Sequence, residues 1–384
     1  MSQLIVEITP IREIKEHPNA DKLEIAIIKG WSVIVQKGVV QPGDLVVYIP
    51  PDAILPAPLH QYLNITQYCA ELPKSFNTDS RRVKAARLRG EPSYGTIMTM
   101  ESLKQFQIGP LGYYVKYSEG TDMTGILGIT KWEPPIKSTQ GDTMKGCNDF
   151  PKYTSIEHWA NYPDVFDAEE EVVITEKIHG CNCRLGIALD ADENGEMVPT
   201  FMAGSHNTRR KQEDANGNEC LYWSPMKYPP VKKMLADLFT LYQKPIVIYG
   251  EIYGEGIQDM QYDGPKAFSV FDITIGGKFI MWQNVRELCN QYSIPHVPEL
   301  YIGTYSPEIV RELTDGLTEV CENPKSKFKG REGVVVKLVI DRTVPILGRV
   351  ILKSVSADYL ARKGGRTASN GTSTNLRWGQ TRLR

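Results

Sequence analysis

The strongest constraint on how this 384-residue chain can fold is a pattern that recurs through its second half, a β-rich apolar run ending on a charged residue beside glycine. Val172-Val173-Ile174 runs into Glu176-Lys177-Ile178-His179-Gly180-Cys181-Asn182, and Ile246-Val247-Ile248 runs into Tyr249-Gly250-Glu251-Ile252-Tyr253-Gly254-Glu255-Gly256. Phe268-Ser269-Val270-Phe271-Asp272-Ile273 alternates aromatic and β-branched residues and carries one acid near its end. Arg331-Glu332-Gly333-Val334-Val335-Val336-Lys337 has a carboxylate and a lysine at its two ends, and Arg349-Val350-Ile351-Leu352-Lys353 adds a further lysine. Runs of this composition read as strands. Lys177 then sits at a strand end, where a pocket wall desolvates the ammonium and neighbouring cations lower its pKa, the conditions that make a lysine nucleophilic. Taken alone, the first segment reads equally as a solvated lysine before a turn. The ordered set (Lys, Glu, Asp, Glu with Lys, Lys) predicts a pocket for a polyanion with a metal.

This ordered set resembles the nucleotidyltransferase motifs of polynucleotide ligases and capping enzymes, and is most similar to ATP-dependent RNA ligases of the nick-sealing branch. Three details carry that branch: EKIHG, with His179 where DNA ligases usually have aspartate; the run YGEIYGEGIQ; and Phe150-Pro151-Lys152-Tyr153 ahead of the first motif. The resemblance spans about residues 150 to 360. It implies an α+β fold, with a nucleotidyltransferase (ATP-grasp-like ligase) domain of antiparallel sheets and flanking helices. It also implies ATP and Mg²⁺ or Mn²⁺, with Lys177 attacking the α-phosphate to form a lysyl-AMP. AMP then passes to a 5′-phosphate end, and a 3′-hydroxyl displaces it. A free lysine, with pKa of roughly 10.4, is mostly protonated at neutral pH. The pocket is therefore expected to lower Lys177 through the metal and the cations Lys337 and Lys353, which would also neutralise the transferring phosphate.

The same resemblance distributes the remaining roles. Glu251 and Glu332 are hard oxygen donors for the metal, directly or through water, or partners of the ribose hydroxyls. Phe271 would stack on adenine and Glu176 accept from its exocyclic amine. Ile178 and Asn182 join the nucleotide site, and His179 joins Lys177 as a catalytic residue serving a later step. Arg209 or Arg210, within Gly204–Lys211, matches the motif that touches the ribose and the phosphate end. Asp272 is placed in the metal network. The family's last motif usually carries two lysines one residue apart, whereas Lys353 here is followed by Ser354 and Val355 and flanked by Ile351 on the other side. Arg349 or a residue of the tail would compensate. Plainer readings stand beside these: His179 as a turn cap, Asp272 as a strand-end turn residue, Tyr253 and Tyr262 as packing. Phe268 and Phe271 lie three apart, so an alternating strand buries one and presents the other.

The first third has another character. His17-Pro18-Asn19-Ala20-Asp21-Lys22-Leu23 reads as a turn between strands Leu4–Ile8 and Leu23–Ile28, and strand signals continue at Ser32–Val35 and Leu45–Ile49. Short, regularly spaced strands predict a small β-barrel. This turn, the phrase QPGDLVVYIPPDAILP, and Arg87-Leu88-Arg89-Gly90 before Ser93-Tyr94-Gly95 resemble tRNA-binding OB folds and the N-terminal domain of a subgroup of the same RNA ligases, over residues 1 to 125. Lys74, Arg81, Arg82, Lys84, Arg87 and Arg89 place six cations in sixteen residues, a patch able to grip phosphates and hence RNA. The same run also reads as a solvated loop.

The expected organisation is an OB domain at residues 1–130, a proline-rich linker at 131–148, an adenylyltransferase domain at 149–360 and a basic tail at 361–384. The formal charge of −2 leaves nucleic-acid affinity to local patches. No apolar run nears eighteen residues and no basic-then-apolar segment opens the chain, so a soluble, cytoplasmic monomer without membrane contact is expected. Seven scattered cysteines lack the paired spacing of a zinc site and read as reduced thiols. The leading function is an ATP-dependent RNA ligase sealing 3′-hydroxyl, 5′-phosphate nicks in nicked or broken structured RNA. The alternatives are a capping-type guanylyltransferase, whose OB domain usually follows the catalytic domain, and a non-catalytic tRNA-type OB protein, against which the intact Lys177, Glu251, Glu332 and Lys337 argue.

Overall fold

The computed structural model describes residues 4–73, 76, 78–106, 117–132, 142–260, 262–322 and 328–360. Lys74, half of the expected linker (133–141) and the basic tail lie outside them. In the first third, a five-stranded antiparallel sheet runs in the order Thr96–Thr99, Leu45–Ile49, Glu7–Glu16, Leu23–Ile28, Trp31–Gln36. The first strand starts later and runs longer than its apolar run suggested. Its front half pairs with Leu45–Ile49 and its back half with Leu23–Ile28, with a register shift between Ile11 and Glu13. Such an irregularity bends a strand and increases its twist, which lets one strand serve two edges of a curled sheet. A second sheet, ordered Thr130–Lys131, Ala53–Leu55, Arg81–Arg82, Ala70–Glu71, covers the other side. Val6, Ile8, Val47, Ile49, Leu55 and Leu59 fill the space between. The pairing reaches Lys131, and Trp132 N–H donates to the Asp52 carbonyl at 2.8 Å, so the first residues of the expected linker are integral to this sheet.

The catalytic half consists of two antiparallel-rich sheets. One is ordered Glu157–His158, Ile351–Val355, Gly333–Leu338, Glu171–Glu176, Glu299–Thr304, with a single parallel pairing at the His158 edge. The other is ordered Arg209–Arg210, Met197–Ser205, Cys181–Ala191, Ile246–Tyr253, Ala267–Ile275, Lys278–Phe279. Cys181–Ala191 and Met197–Ser205 pair antiparallel through the turn between Ala191 and Met197. Helix Pro229–Tyr242 buries Val231, Met234, Leu235 and Leu238 against the six-stranded sheet, an i, i+3, i+4, i+7 stripe. Helix Pro307–Thr314, capped by the Ser306 hydroxyl, covers the back of the other sheet with Val310. Ile246 to Tyr249 are all buried because both faces of their strand are covered, which explains the unbroken apolar run.

The two halves share one core. Ile11, Ala26, Ile28 and Trp31 of the N-terminal sheet belong to the same apolar cluster as Trp159, Phe166, Val172, Val334 and Leu352. The Trp31 indole donates to Asn161 Oδ1 at 2.8 Å, and Gly30 N–H donates to the Ala160 carbonyl at 2.9 Å. A Cβ on Gly30 would lie 2.8 Å from Ala160 Cα, so only glycine permits this approach.

Candidate active site

Strand Glu171–Glu176 ends at the centre of the molecule, and Lys177 N–H continues its pairing by donating to the Gly333 carbonyl at 2.9 Å. Lys177 is thereby tied to the Glu332-Gly333 segment. Lys177 Nζ reaches Glu332 Oε1 at 3.0 Å, Glu332 Oε2 faces His179 Nδ1 at 3.1 Å, and His179 Nε2 faces Asp259 at 2.7 Å. Tyr359 OH lies 3.0 Å from His179 Nδ1, and Tyr262 OH accepts from His179 N–H at 2.9 Å. Tyr262 therefore anchors the motif besides packing. Glu251 stands opposite Asn182 across the strand pair. A Cβ on Gly180 would lie 2.9 Å from Glu251 Cγ and clash with the Ile252 carbonyl, so this glycine brings the two motifs together.

The electrostatics correct one expectation. A metal and the cations Lys337 and Lys353 were to lower Lys177, whereas in the protein alone the charges acting on it are the carboxylates Glu332 and Glu251. Burial works to lower its pKa, while Glu332 and Glu251 raise it and prevail. Burial likewise works against the Glu332 carboxylate, but Lys177 and His179 hold its pKa down at about 2. Glu251 is pushed up to about 8, chiefly by burial and further by Glu332, with Lys177 opposing. The site thus holds one ionised and one proton-bearing carboxyl against one ammonium at neutral pH.

A cavity of about 360 Å³ opens beside Lys177, lined by Ile156, Ile178, Asn182, Glu251, Phe271, Lys337, Ile351 and Lys353 among others. Phe268 is buried in the core and Phe271 lines the cavity, as alternation required of one of them. A register shift between Tyr249 and Gly250 leaves Phe271 as the extra residue of its strand. Gly250 makes room for the Phe268 ring, since a Cβ there would also lie 2.6 Å from the Ser269 carbonyl. Asn182 lines this cavity, and its buried Oδ1 has no hydrogen-bond partner. A buried orphan acceptor in a cavity marks a place for a donor or a cation.

Several expected site residues are engaged elsewhere. Both carboxylate oxygens of Glu176 are taken, by the Thr318 hydroxyl at 2.5 Å and Glu319 N–H at 2.7 Å, so its side chain does not read a base. Asp272 is fully buried behind Phe271, where it accepts from Arg349 at 2.5 Å and Tyr153 at 2.8 Å and faces Lys337 at 3.5 Å. A carboxylate so surrounded by cations has no place in a metal site. Arg349 also binds Asp341 and stacks on Phe279, so it does not replace the missing lysine. Lys337 lines the cavity but donates to the Phe271 carbonyl at 3.0 Å. Arg209 pairs with Asp190 and Arg210 with Asp142, while His206 of the same motif lines the cavity. Asp272→Asn would remove the charge shared by the buried Arg349 and Lys337, leaving Arg349 only Asp341. The expected result is a stability loss of about 3–5 kcal/mol, read as a lower urea midpoint.

On the outer side of Lys177 a cleft of about 1130 Å³ separates the two halves. Lys177, Glu332 and Lys353 face it from the catalytic half, and Arg82, Lys84 and Lys131 from the N-terminal half. Burial, then the Lys177 charge, lower the Lys353 pKa. Of the five described cations expected to bind RNA, Arg82 and Lys84 line this cleft. Arg82 also stacks on Trp132 and lies 3.9 Å from Asp52. Arg81 lies near Glu71 at 3.8 Å. Arg87 is bonded to Asp358 of the catalytic half, and Arg89, at φ 53°, forms the tip of hairpin Ala85–Leu88/Glu91–Tyr94 with Gly90. Arg87 thus faces the catalytic half rather than the cleft, and Arg89 makes the hairpin turn.

A lysine ion-paired at a strand end, a second lysine, carboxylates and an apolar cavity with an aromatic wall meet at this one place. Residues 170–355 match the family model described as RNA ligase, and residues 5–100 match one described as an OB-fold domain. The chain therefore carries an RNA ligase domain behind an N-terminal OB-fold domain. Solved structures of the Naegleria gruberi RNA ligase share the fold. The form with PPi superposes at a TM-score of 0.70 with 23% identity, covering 95% of this chain and 100% of that one. A mutant with ATP and Mn superposes at 0.69 with 23% identity, covering 94% and 99%. No curated protein sequence matches the chain. Among the described residues no helix is long and apolar enough to cross a membrane.

Proposed function

We propose that this RNA ligase seals 3′-hydroxyl, 5′-phosphate ends at nicks in RNA, using ATP through lysyl-AMP and RNA-adenylate intermediates. The observation that carries the reading is the position of Lys177, its ammonium 3.0 Å from Glu332 at the boundary between the inner cavity and the outer cleft. A nucleotide in the cavity, against Phe271, presents its α-phosphate to Nζ. The nitrogen attacks phosphorus, the bond to the β-phosphate oxygen breaks, and pyrophosphate leaves. An RNA end entering by the cleft, past Arg82 and Lys84, then meets the AMP from the other side. Its 5′-phosphate takes the AMP, restoring the lysine, and a 3′-hydroxyl displaces AMP to close the strand.

Glu251, Glu332 and the orphan oxygen of Asn182 fit a divalent cation by donor type. Among the described residues no three His, Cys, Asp or Glu side chains are grouped to hold one unaided, so phosphate and water oxygens would complete its shell. Such a cation would withdraw carboxylate charge from Lys177, leaving burial to lower the ammonium. The Naegleria gruberi structure with ATP and Mn supports this choice of nucleotide and metal.

The test is incubation with α-labelled ATP or GTP and Mg²⁺, a denaturing gel, and then addition of a 5′-phosphorylated nicked RNA duplex. Label from ATP and a sealed strand are expected. Label from GTP without sealing would favour a capping-type enzyme, and no label from either would end the reading.

A further inference from the structure

The His17–Leu23 turn and the hairpin it holds have no part in the chemistry above, yet they lead to the active-site histidine. His17 Nε2–H donates to the Leu88 carbonyl at 3.0 Å while its Nδ1 accepts from Asn19 N–H at 3.1 Å, and Asn19 Nδ2 donates to the Arg89 carbonyl at 3.0 Å. The hairpin is thereby fixed with Arg87 pointing at the catalytic half. Arg87 Nε donates to Asp358 Oδ1 at 2.9 Å, and its Nη1 donates to the Gly90 carbonyl at 2.8 Å. The next residue, Tyr359, is buried with its hydroxyl 3.0 Å from His179 Nδ1. The helical turn bearing both is pinned from its other side, since Ser356 N–H donates to the Glu332 carbonyl at 2.9 Å and Ser356 Oγ to Asp315 at 2.7 Å.

We propose that Tyr359 is a positioning residue for His179, and that the Arg87–Asp358 pair makes the N-terminal OB-fold domain part of that positioning. An exposed ion pair contributes little to global stability. What it fixes is direction: with Asp358 held, Tyr359 must approach the ring from one side, as Asp259 at 2.7 Å approaches Nε2 from the other. Two oxygens at Nδ1, Glu332 Oε2 at 3.1 Å and Tyr359 OH at 3.0 Å, restrict how far the ring turns. The proposal rests on the reading that His179 acts in sealing rather than in lysine attack.

The experiment measures sealing of a pre-adenylylated RNA nick across pH, alongside lysyl-AMP formation, in the full chain. Tyr359→Phe and Asp358→Arg are each expected to slow sealing about tenfold, and to slow it more than lysyl-AMP formation. Adding Arg87→Asp to Asp358→Arg should recover most of the sealing rate, which loss of folding would not allow. Sealing at the wild-type rate by Tyr359→Phe, or a double variant as slow as Asp358→Arg, overturns the proposal. His179→Ala is the control for the underlying reading. If that variant also seals normally, the role of His179 has failed; if it alone is slow, the positioning has.

Discussion

Lys177→Ala is expected to form no covalent nucleotide adduct, with labelling below about a thousandth of the wild-type rate. Lys337 is committed to Asp272 and the Phe271 carbonyl, and Lys353 stands two strands away in the same sheet. The same substitution removes the main charge holding Glu332 down at about 2. A carboxyl lowered from roughly 4.3 stabilises the fold above that value by about 3 kcal/mol, and the contribution is lost as pH falls through 2. Lys177→Ala should forfeit part of it at neutral pH, while Lys177→Arg should keep the charge and still take no label. Urea unfolding at pH 7 and the labelled gel separate the two roles. An adduct persisting in either variant would move the nucleophile elsewhere.

Glu251→Gln should likewise abolish adduct formation, yet make the metal-free protein more stable at alkaline pH. The folded pKa of about 8 lies above the roughly 4.3 of the unfolded chain. The folded state therefore binds the proton more tightly, and wild-type stability falls as pH rises between those values. The fall amounts to about 5 kcal/mol, an order-of-magnitude figure. Glutamine cannot ionise and escapes it. At pH 5 the two proteins should unfold at similar urea concentrations, and above pH 8 the glutamine variant should unfold later. Equal midpoints at both pH values would show that Glu251 is not strained by burial. Proteins tolerate such costs where a charge is needed for function.

The strand ends were legible because each is local: an apolar run, a glycine and a charged residue within a few positions. Lys177, Glu251, Glu332 and Lys353 follow from that pattern, Phe271 from the family resemblance, and all five meet at the cavity or its mouth. What the pattern could not supply were partners far away in sequence. Glu176 is answered by Thr318 and Glu319, Asp272 by Arg349, and His179 by Asp259 and Tyr359. An acid beside a catalytic lysine looks the same whether it faces a base or a buried threonine. Arg209 and Arg210 misled for a related reason, because the acids that absorb them, Asp190 and Asp142, lie outside their motif. The raised pKa of Lys177 was equally hidden, since it depends on which charges come nearest and not on which are present.

The core shared across the two halves bears on how the protein is made. Trp31, Ile28 and Ile11 are complete on the ribosome long before Trp159, Val334 and Leu352, with which they cluster. At about 5–20 residues per second, tens of seconds separate the two sets. Throughout that interval the nascent N-terminal sheet displays an apolar face with nothing to cover it. Synthesis of this ligase therefore depends on that face being shielded, by a chaperone or by rapid completion of the chain.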